Sequence, residues 1–263
     1  MNITTHCYKV SSRPEPIFSF FPGRASLYDL AVHLKAEHQQ CTTLIDLGKL
    51  GNELERDDSK LPGLLLSKGE QAYFERFSYP KRRREWLGGR IAAKAAMLKL
   101  AEPGHPQDEM QQLSILPDKH GRPTADRIPG IAITISHSSR FAVALATRGT
   151  TCGIDLQKTS SKLADLTDRF TSARELTILA GLPSPDDHVT RLTMLWAAKE
   201  ALKKSILHDQ PAIFSGIEVR QATLVLDHQY CFSCKVKGQP DQTAMVYDFS
   251  PYILALTGAD IHA

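Results

Sequence analysis

Asp155 and Gln157 lie two apart in the run Cys152-Gly-Ile-Asp-Leu-Gln157, and Glu200 follows in Trp196-Ala-Ala-Lys-Glu-Ala-Leu-Lys-Lys204. On a strand, residues two apart point the same way, so Asp155 and Gln157 are expected to share one face while Ile154 and Leu156 face the core. A helix carrying Glu200 beside that strand would gather two carboxylates and an amide oxygen. Oxygen donors with no cysteine or histidine nearby suit Mg²⁺, which is usually held by one or two carboxylates together with substrate phosphates and water. The same residues also suit a plainer role, with an Asp at a strand end and Glu200 paired i,i+4 with Lys204 on a solvated helix.

A second group is basic. Lys81-Arg82-Arg83-Arg84 precedes an expected helix, with Arg90 and Lys94 one and two turns later. A phosphorylated ligand would want such a cluster, and a solvated helix entrance would look the same. Ser136-His137-Ser138 ends a strand in which Ile131, Ile133 and Ile135 alternate with Ala132, Thr134 and Ser136. It lacks the glycines of a nucleophile elbow, which argues against a hydrolase and leaves His137 as a phosphate donor. Arg122, in His120-Gly-Arg-Pro123, sits on a tight turn that would aim it at an anion or at water. The five cysteines, Cys7, Cys41, Cys152, Cys231 and Cys234, suit reduced thiols better than a disulfide framework. Strand alternation puts Cys231 and Cys234 on opposite faces, as packed thiols and not as half of a metal site.

The elements that must position these residues repeat. Ala92-Ala-Lys-Ala-Ala-Met-Leu-Lys99 matches Ala197-Ala-Lys-Glu-Ala-Leu-Lys-Lys204 at an offset of 105 residues, and the capping boxes Ser67-x-x-Glu70 and Ser172-x-x-Glu175 keep that offset. Phe141 to Thr147 resembles Tyr252 to Gly258, and Ile45-Asp46-Leu47 echoes Ile154-Asp155-Leu156. Each half then reads as a short strand, a capped helix, a long Ala-rich helix and closing strands. Leu195, Ala198, Leu202 and Ile206 mark an apolar stripe that leaves Glu200 and Lys204 well away from it. The segments Asp118 to Pro129 and Gly181 to Asp187 read as loops. The expected fold class is α+β, a pseudo-dimer of two similar halves, 1–148 and 149–263, with the active site in the cleft between them. Glu200 has Ala95 as its counterpart, so one active site is expected.

Composition agrees with a globular chain: 263 residues, 42% hydrophobic and 23% charged. Lys+Arg 32 against Asp+Glu 29 leaves +3, too small to argue for nucleic acid or an anionic membrane. No apolar run reaches the roughly 18 residues of a membrane span, and the Phe18 to Phe21 cluster lacks the leader of a signal peptide, so a cytoplasmic protein is expected.

GRIAAKAA, HGRP, ISHS, CGIDLQ, FTSARE and WAAKEALKK occur in this order between about Lys81 and Lys204. The ordered set resembles the 4′-phosphopantetheinyl transferases of the long, two-half, surfactin-synthetase-activating type. The resemblance implies a monomeric, Mg²⁺-dependent enzyme that moves the 4′-phosphopantetheine arm of coenzyme A to a serine of an apo-acyl or peptidyl carrier protein, releasing adenosine 3′,5′-bisphosphate. It implies that Asp155 and Glu200 hold the metal, and that Lys204 meets the phosphate at the reacting end. Arg122, Ser136 and His137 bind the nucleotide with its 3′-phosphate, Lys81 and Arg84 fall near the family's basic positions, and Glu200 or a water on the metal takes the serine proton. One position departs: the family's Gly-Ile-Asp-x-Glu is here Gly153-Ile-Asp-Leu-Gln157, so the third ligand is an amide. A catalytically silent coenzyme A or nucleotide-binding regulator of the same fold is the alternative, and retention of both Asp155 and Glu200 speaks against it.

Overall fold

The computed structural model describes residues 15–16, 31–37, 40–100, 110–149, 151–185, 187–207 and 216–258; Cys7 and the Phe18 to Phe21 cluster lie outside them. Contacts divide the chain between Thr151 and Cys152 into two units. The first runs through strands β1 (Glu15–Pro16), β2 (Ala31–Glu37) and β3 (Gln40–Asp46), then helices α1 (Leu47–Arg56), α2 (Lys60–Leu65), α3 (Lys68–Phe74) and α4 (Pro80–Leu100). The hairpin β4 (Ile115–Pro117) and β5 (Pro123–Ala125) follows, then β6 (Ile131–Ser138) and β7 (Phe141–Arg148). The second unit contains β8 (Cys152–Lys158), a 3-10 turn (Ser161–Leu166), α5 (Thr167–Phe170), α6 (Ala173–Ala180), α7 (His188–Ile206), β9 (Ile217–Leu226), β10 (Gln229–Val236), β11 (Gln242–Phe249) and β12 (Tyr252–Gly258).

Both units are antiparallel sheets backed by a long helix, α4 or α7, and both follow one path. The sheet orders are β1-β2-β3-β7-β6 and β8-β12-β11-β10-β9. In each, the strand before the helices pairs with the last strand, which pairs with the strand before it. Three expectations change in detail. Strands β1 and β2 precede the first half's expected single strand, β5 falls inside the Asp118 to Pro129 segment read as a loop, and Lys81 to Arg84 lie within a helix instead of ahead of it. Pro80 begins α4 because its fixed φ and missing N–H suit a first helical position. The three-residue strands of the β4–β5 hairpin are too short to show alternation.

The repeat has a physical core. In each half the capping-box glutamate is buried and collects three donors. Glu70 accepts from Ser67 N–H, Ile115 N–H and the Lys94 ammonium, the last at 2.5 Å. Glu175 accepts from Ser172 N–H, Val219 N–H and the Lys199 ammonium, the last at 2.7 Å. Lys94 also donates to the Leu65 and Met110 carbonyls, and Lys199 to that of Phe170. Leu65 with Phe170, Ser67 with Ser172, Glu70 with Glu175 and Lys94 with Lys199 all keep the 105-residue offset. Burial pushes the Lys94 ammonium below its ordinary pKa, and the Glu70 charge opposes that push. Such pairs are tolerated in a core only when their remaining hydrogen-bonding capacity is met, which the backbone groups do here.

The stripe expected on α7 is an underestimate. Leu195, Ala198 and Leu202 are fully buried, and so are Ala197 and Ala201, with Lys199 and Ser205 nearly so. The helix packs on β8, β12 and β11 and against the 3-10 turn, so little of it meets water. Ile131, Ile133 and Ile135 pack against the first core as expected. Cys234 lies in the second core, where burial pushes its thiol up to about 12, while Cys231 is half-buried on the other face of β10. The four described cysteines form no disulfide with one another, and among the described residues no helix is long and apolar enough to cross a membrane.

Candidate active site

The register of β8 against β12 sets Gly153, Asp155 and Gln157 opposite Thr257, Ala255 and Ile253. Ala255 and Ile253 belong to the core that includes α7 residues. Directly paired residues share a face, so Asp155 and Gln157 point toward the helix, and Ile154 and Leu156 occupy the opposite, also buried, face. The acid was expected to face away from the core and instead faces the helix. Gly153 makes this geometry possible: a Cβ there would lie 1.9 Å from the Ala201 carbonyl oxygen. Strand and helix backbones touch at that point, which puts side chains of α7 one turn away within reach of Asp155.

Asp155 is 6% exposed, and the Lys204 ammonium donates to its Oδ1 at 2.7 Å and to the Ile154 carbonyl at 3.0 Å. Asp155 Oδ2 is buried and accepts no hydrogen bond. Glu200 is half-buried, with Lys203 Nζ 3.7 Å from its Oε1. Burial raises the Glu200 carboxyl above its ordinary pKa, the Asp155 charge raises it further, and Lys203 and Lys204 oppose both. The plainer role, Glu200 paired with Lys204 on a wet helix face, is therefore not what forms. Lys204 goes to Asp155, and Glu200 takes Lys203. A half-buried carboxylate whose proton affinity is raised by burial and by the Asp155 charge, with Asp155 itself and an amide on the same strand face, fits a hard divalent cation, which would relieve the repulsion. Among the described residues no three His, Cys, Asp or Glu side chains gather as a metal cluster.

In the first unit, His137 lies opposite Ala142, a core residue, and so faces α4. Its Nδ1 is 3.8 Å from Glu85 Oε1, and Lys81 Nζ lies 3.8 Å from the same oxygen. Glu85 escaped the sequence reading, although its i,i+4 spacing from Lys81 was a signal. Ser136 alternates to the other face of β6. Arg84 does not join this group: with Gly51, Leu54, Phe77 and Arg83 it lines a cavity of about 510 Å³ beside α1. Arg90 and Lys94 are structural. Arg90 donates to the Ile115 carbonyl and stacks on Trp86, and Lys94 is spent on Glu70. Arg122 is held by Asp118 at 2.7 Å across a turn in which Gly121 has φ +84°. Burial would raise Asp118, yet hydrogen bonds from Arg122 and from the His120 N–H hold its carboxyl down to about 2.

Residues 70–147 match the model of the 4′-phosphopantetheinyl transferase N-terminal domain, and residues 151–254 match that of the 4′-phosphopantetheinyl transferase superfamily. The holo-[acyl-carrier-protein] synthase of Staphylococcus carnosus (strain TM300) is 36% identical over 102 residues, covering 38% of this chain and 86% of the relative. The chain belongs to the 4′-phosphopantetheinyl transferase superfamily. Similarity extends to the 4′-phosphopantetheinyl transferase HetI of Nostoc sp. (strain PCC 7120), 30% identical over 160 residues, which are 58% of this chain and 65% of HetI. This fits the long type of transferase, with two halves in one chain. Among solved structures, a holo-(acyl-carrier-protein) synthase from Bacillus anthracis str. Ames in complex with CoA (3′,5′-ADP) is 24% identical and covers 43% of this chain and 96% of its own, with a TM-score of 0.37. Within the transferase superfamily, the acids of this chain lie in the half matched by the superfamily model, and His137 in the half matched by the N-terminal domain.

Proposed function

We propose that the protein transfers the 4′-phosphopantetheine arm of coenzyme A to a serine of an apo-acyl or peptidyl carrier protein and releases adenosine 3′,5′-bisphosphate. The observation that carries the reading is the pair Asp155 on β8 and Glu200 on α7, a buried and a half-buried carboxylate on two elements that pack together, with the Asp155 charge felt by Glu200. Asp155 and Glu200, with Gln157 beside them, would hold Mg²⁺, which when bound supplies positive charge to the pyrophosphate. Lys204 donates to the same phosphates. The serine Oγ forms a bond to the phosphorus that bears pantetheine while the bridging P–O bond breaks, and the nucleotide leaves with the bond electrons. Glu200, whose proton affinity is already raised, takes the serine proton. Positioning and charge neutralisation carry such reactions, so no covalent enzyme intermediate is needed.

At the nucleotide end we assign His137 and Lys81 to the 3′-phosphate, with Arg122 and Ser136 completing the expected set. Arg84 is left out because it lines the cavity beside α1. Five cysteines scattered through the chain, an odd number, support a reducing, cytoplasmic setting, and two repeated halves in one chain support a monomer. Mass spectrometry of apo-carrier proteins incubated with coenzyme A and Mg²⁺ tests the reading. A gain of the phosphopantetheine mass, lost with chelator and with Glu200→Ala, is the expected result. Coenzyme A binding without any mass gain on acyl or peptidyl carriers would identify a silent regulator instead.

A further inference from the structure

The contact that stands out in the acidic site is made by a cation of the chain itself. Lys204 Nζ donates to Asp155 Oδ1 at 2.7 Å and to the Ile154 carbonyl at 3.0 Å, and its side chain remains 28% exposed. Asp155 is on β8 and Lys204 on α7, one turn past Glu200, so the ammonium lies on one of the two carboxylates assigned to a divalent cation. An ammonium bonded to a carboxylate and a metal that binds the same carboxylate compete, because each owes its affinity to the same negative charge.

We propose that Lys204 is an ammonium gate on the acidic site, holding Asp155 until a phosphate of coenzyme A draws it away and releases the carboxylate to the metal. The inference rests on the reading that Asp155 and Glu200 hold a divalent cation. The gate couples two ligands through one side chain. Coenzyme A gives Lys204 a new acceptor, which lowers the cost of metal binding, and by reciprocity the metal tightens coenzyme A. It also deters loading of the metal ahead of the substrate. Gln157 contributes to the same end, since an amide adds no charge that could outbid the lysine.

Calorimetric Mg²⁺ titration of the purified full chain, with and without adenosine 3′,5′-bisphosphate or coenzyme A, tests the gate without any turnover. Lys204→Met should tighten Mg²⁺ binding in the nucleotide-free protein by about tenfold and shrink the effect of coenzyme A on Mg²⁺ affinity. Lys204→Arg, which keeps the charge, should retain weak binding and so controls for altered packing. Melting curves of both variants check that the fold is kept. Mg²⁺ binding to Lys204→Met that equals or falls below the wild type, while Asp155→Asn abolishes binding, would overturn the gate and leave the metal reading standing. Wild-type Mg²⁺ binding in Asp155→Asn would overturn the metal reading, and the gate with it.

Discussion

Lys94 in the first half and Lys199 in the second each end on a buried glutamate from a capped helix, but the next residue is Ala95 in one and Glu200 in the other. The strands differ in the same way. With β7 laid on β12, Ala144 corresponds to Ala255, so Thr43 stands where Asp155 stands. Asp46, which the repeated Ile-Asp-Leu triplet suggests as the counterpart, instead caps α1 through the N–H groups of Gly48 and Lys49 and pairs with Arg140. The close approach of helix and strand is also achieved differently. In the second half Gly153 of the strand meets the Ala201 backbone, whereas in the first half the helix supplies the glycines, Gly89 against Ile135 of β6 and Gly88 against Leu47 at the start of α1. The comparison teaches that the buried ion pair and its capping box specify packing in both halves, and that the adjoining positions are free to carry charge or to lose it.

The largest effect should come from deleting the charge that distinguishes the halves. Glu200→Ala is expected to lower transfer at least about a thousandfold, some 4 kcal/mol of transition-state stabilisation, with little change in melting temperature. Ala95 shows that this helix position accepts alanine. Near-normal turnover at saturating Mg²⁺ would remove Glu200 from the site.

Next comes the feature the halves share. Lys94→Met and Lys199→Met should each cost about 3–5 kcal/mol in denaturant unfolding, because each leaves a buried glutamate without its cation. Adding Glu70→Gln or Glu175→Gln, which keeps an oxygen acceptor for the strand N–H, should restore much of the loss. Only the Lys199 variant should also slow transfer, since Glu200 follows it. Equal loss of turnover from both would mean that the pairs do not divide into a structural copy and a site-bearing one.

A smaller difference separates the glycines. Gly153→Ala meets a backbone oxygen that cannot rotate away and should cost roughly 1–3 kcal/mol and lower kcat by moving α7 from Asp155. Gly89→Ala meets only a side chain, the Ile135 Cγ2 at 2.8 Å, so its strain falls on the first core, away from Asp155 and Glu200, and kcat should hold. Matched losses of stability and kcat in the two variants would refute the claim that Gly153 sets the site.

The mildest expected effect lies in the first half. His137→Ala and Arg122→Ala should raise KM for coenzyme A by about tenfold, near 1.4 kcal/mol, with a lesser effect on kcat, because contacts far from the reacting phosphorus bind ground and transition states alike. Dephospho-coenzyme A is the control. If that analogue is weakened as much as coenzyme A, these residues do not read the 3′-phosphate.

Much of this was legible in the chain because it is local or periodic. The Ser-x-x-Glu boxes formed as capping boxes, since a serine oxygen and a glutamate three residues on satisfy each other's amides without help from distant residues. The 105-residue offset, the Ala-rich helices and the two-residue spacing of Asp155 and Gln157 are likewise properties of short stretches. What the sequence could not show depends on which element lies against which. Alternation says that Asp155 and Ile154 part ways, but not which face of β8 the helix covers. The helix lies on the side of Gly153, the one residue whose missing side chain lets it approach, and so Asp155 meets Lys204. The lysines follow the same rule. Lys94, Lys199 and Lys204 look alike in sequence, yet the first two are committed to buried glutamates and only the third reaches an acid of the site. Charge can be read from one residue, but its partner is fixed by packing between segments remote in the chain.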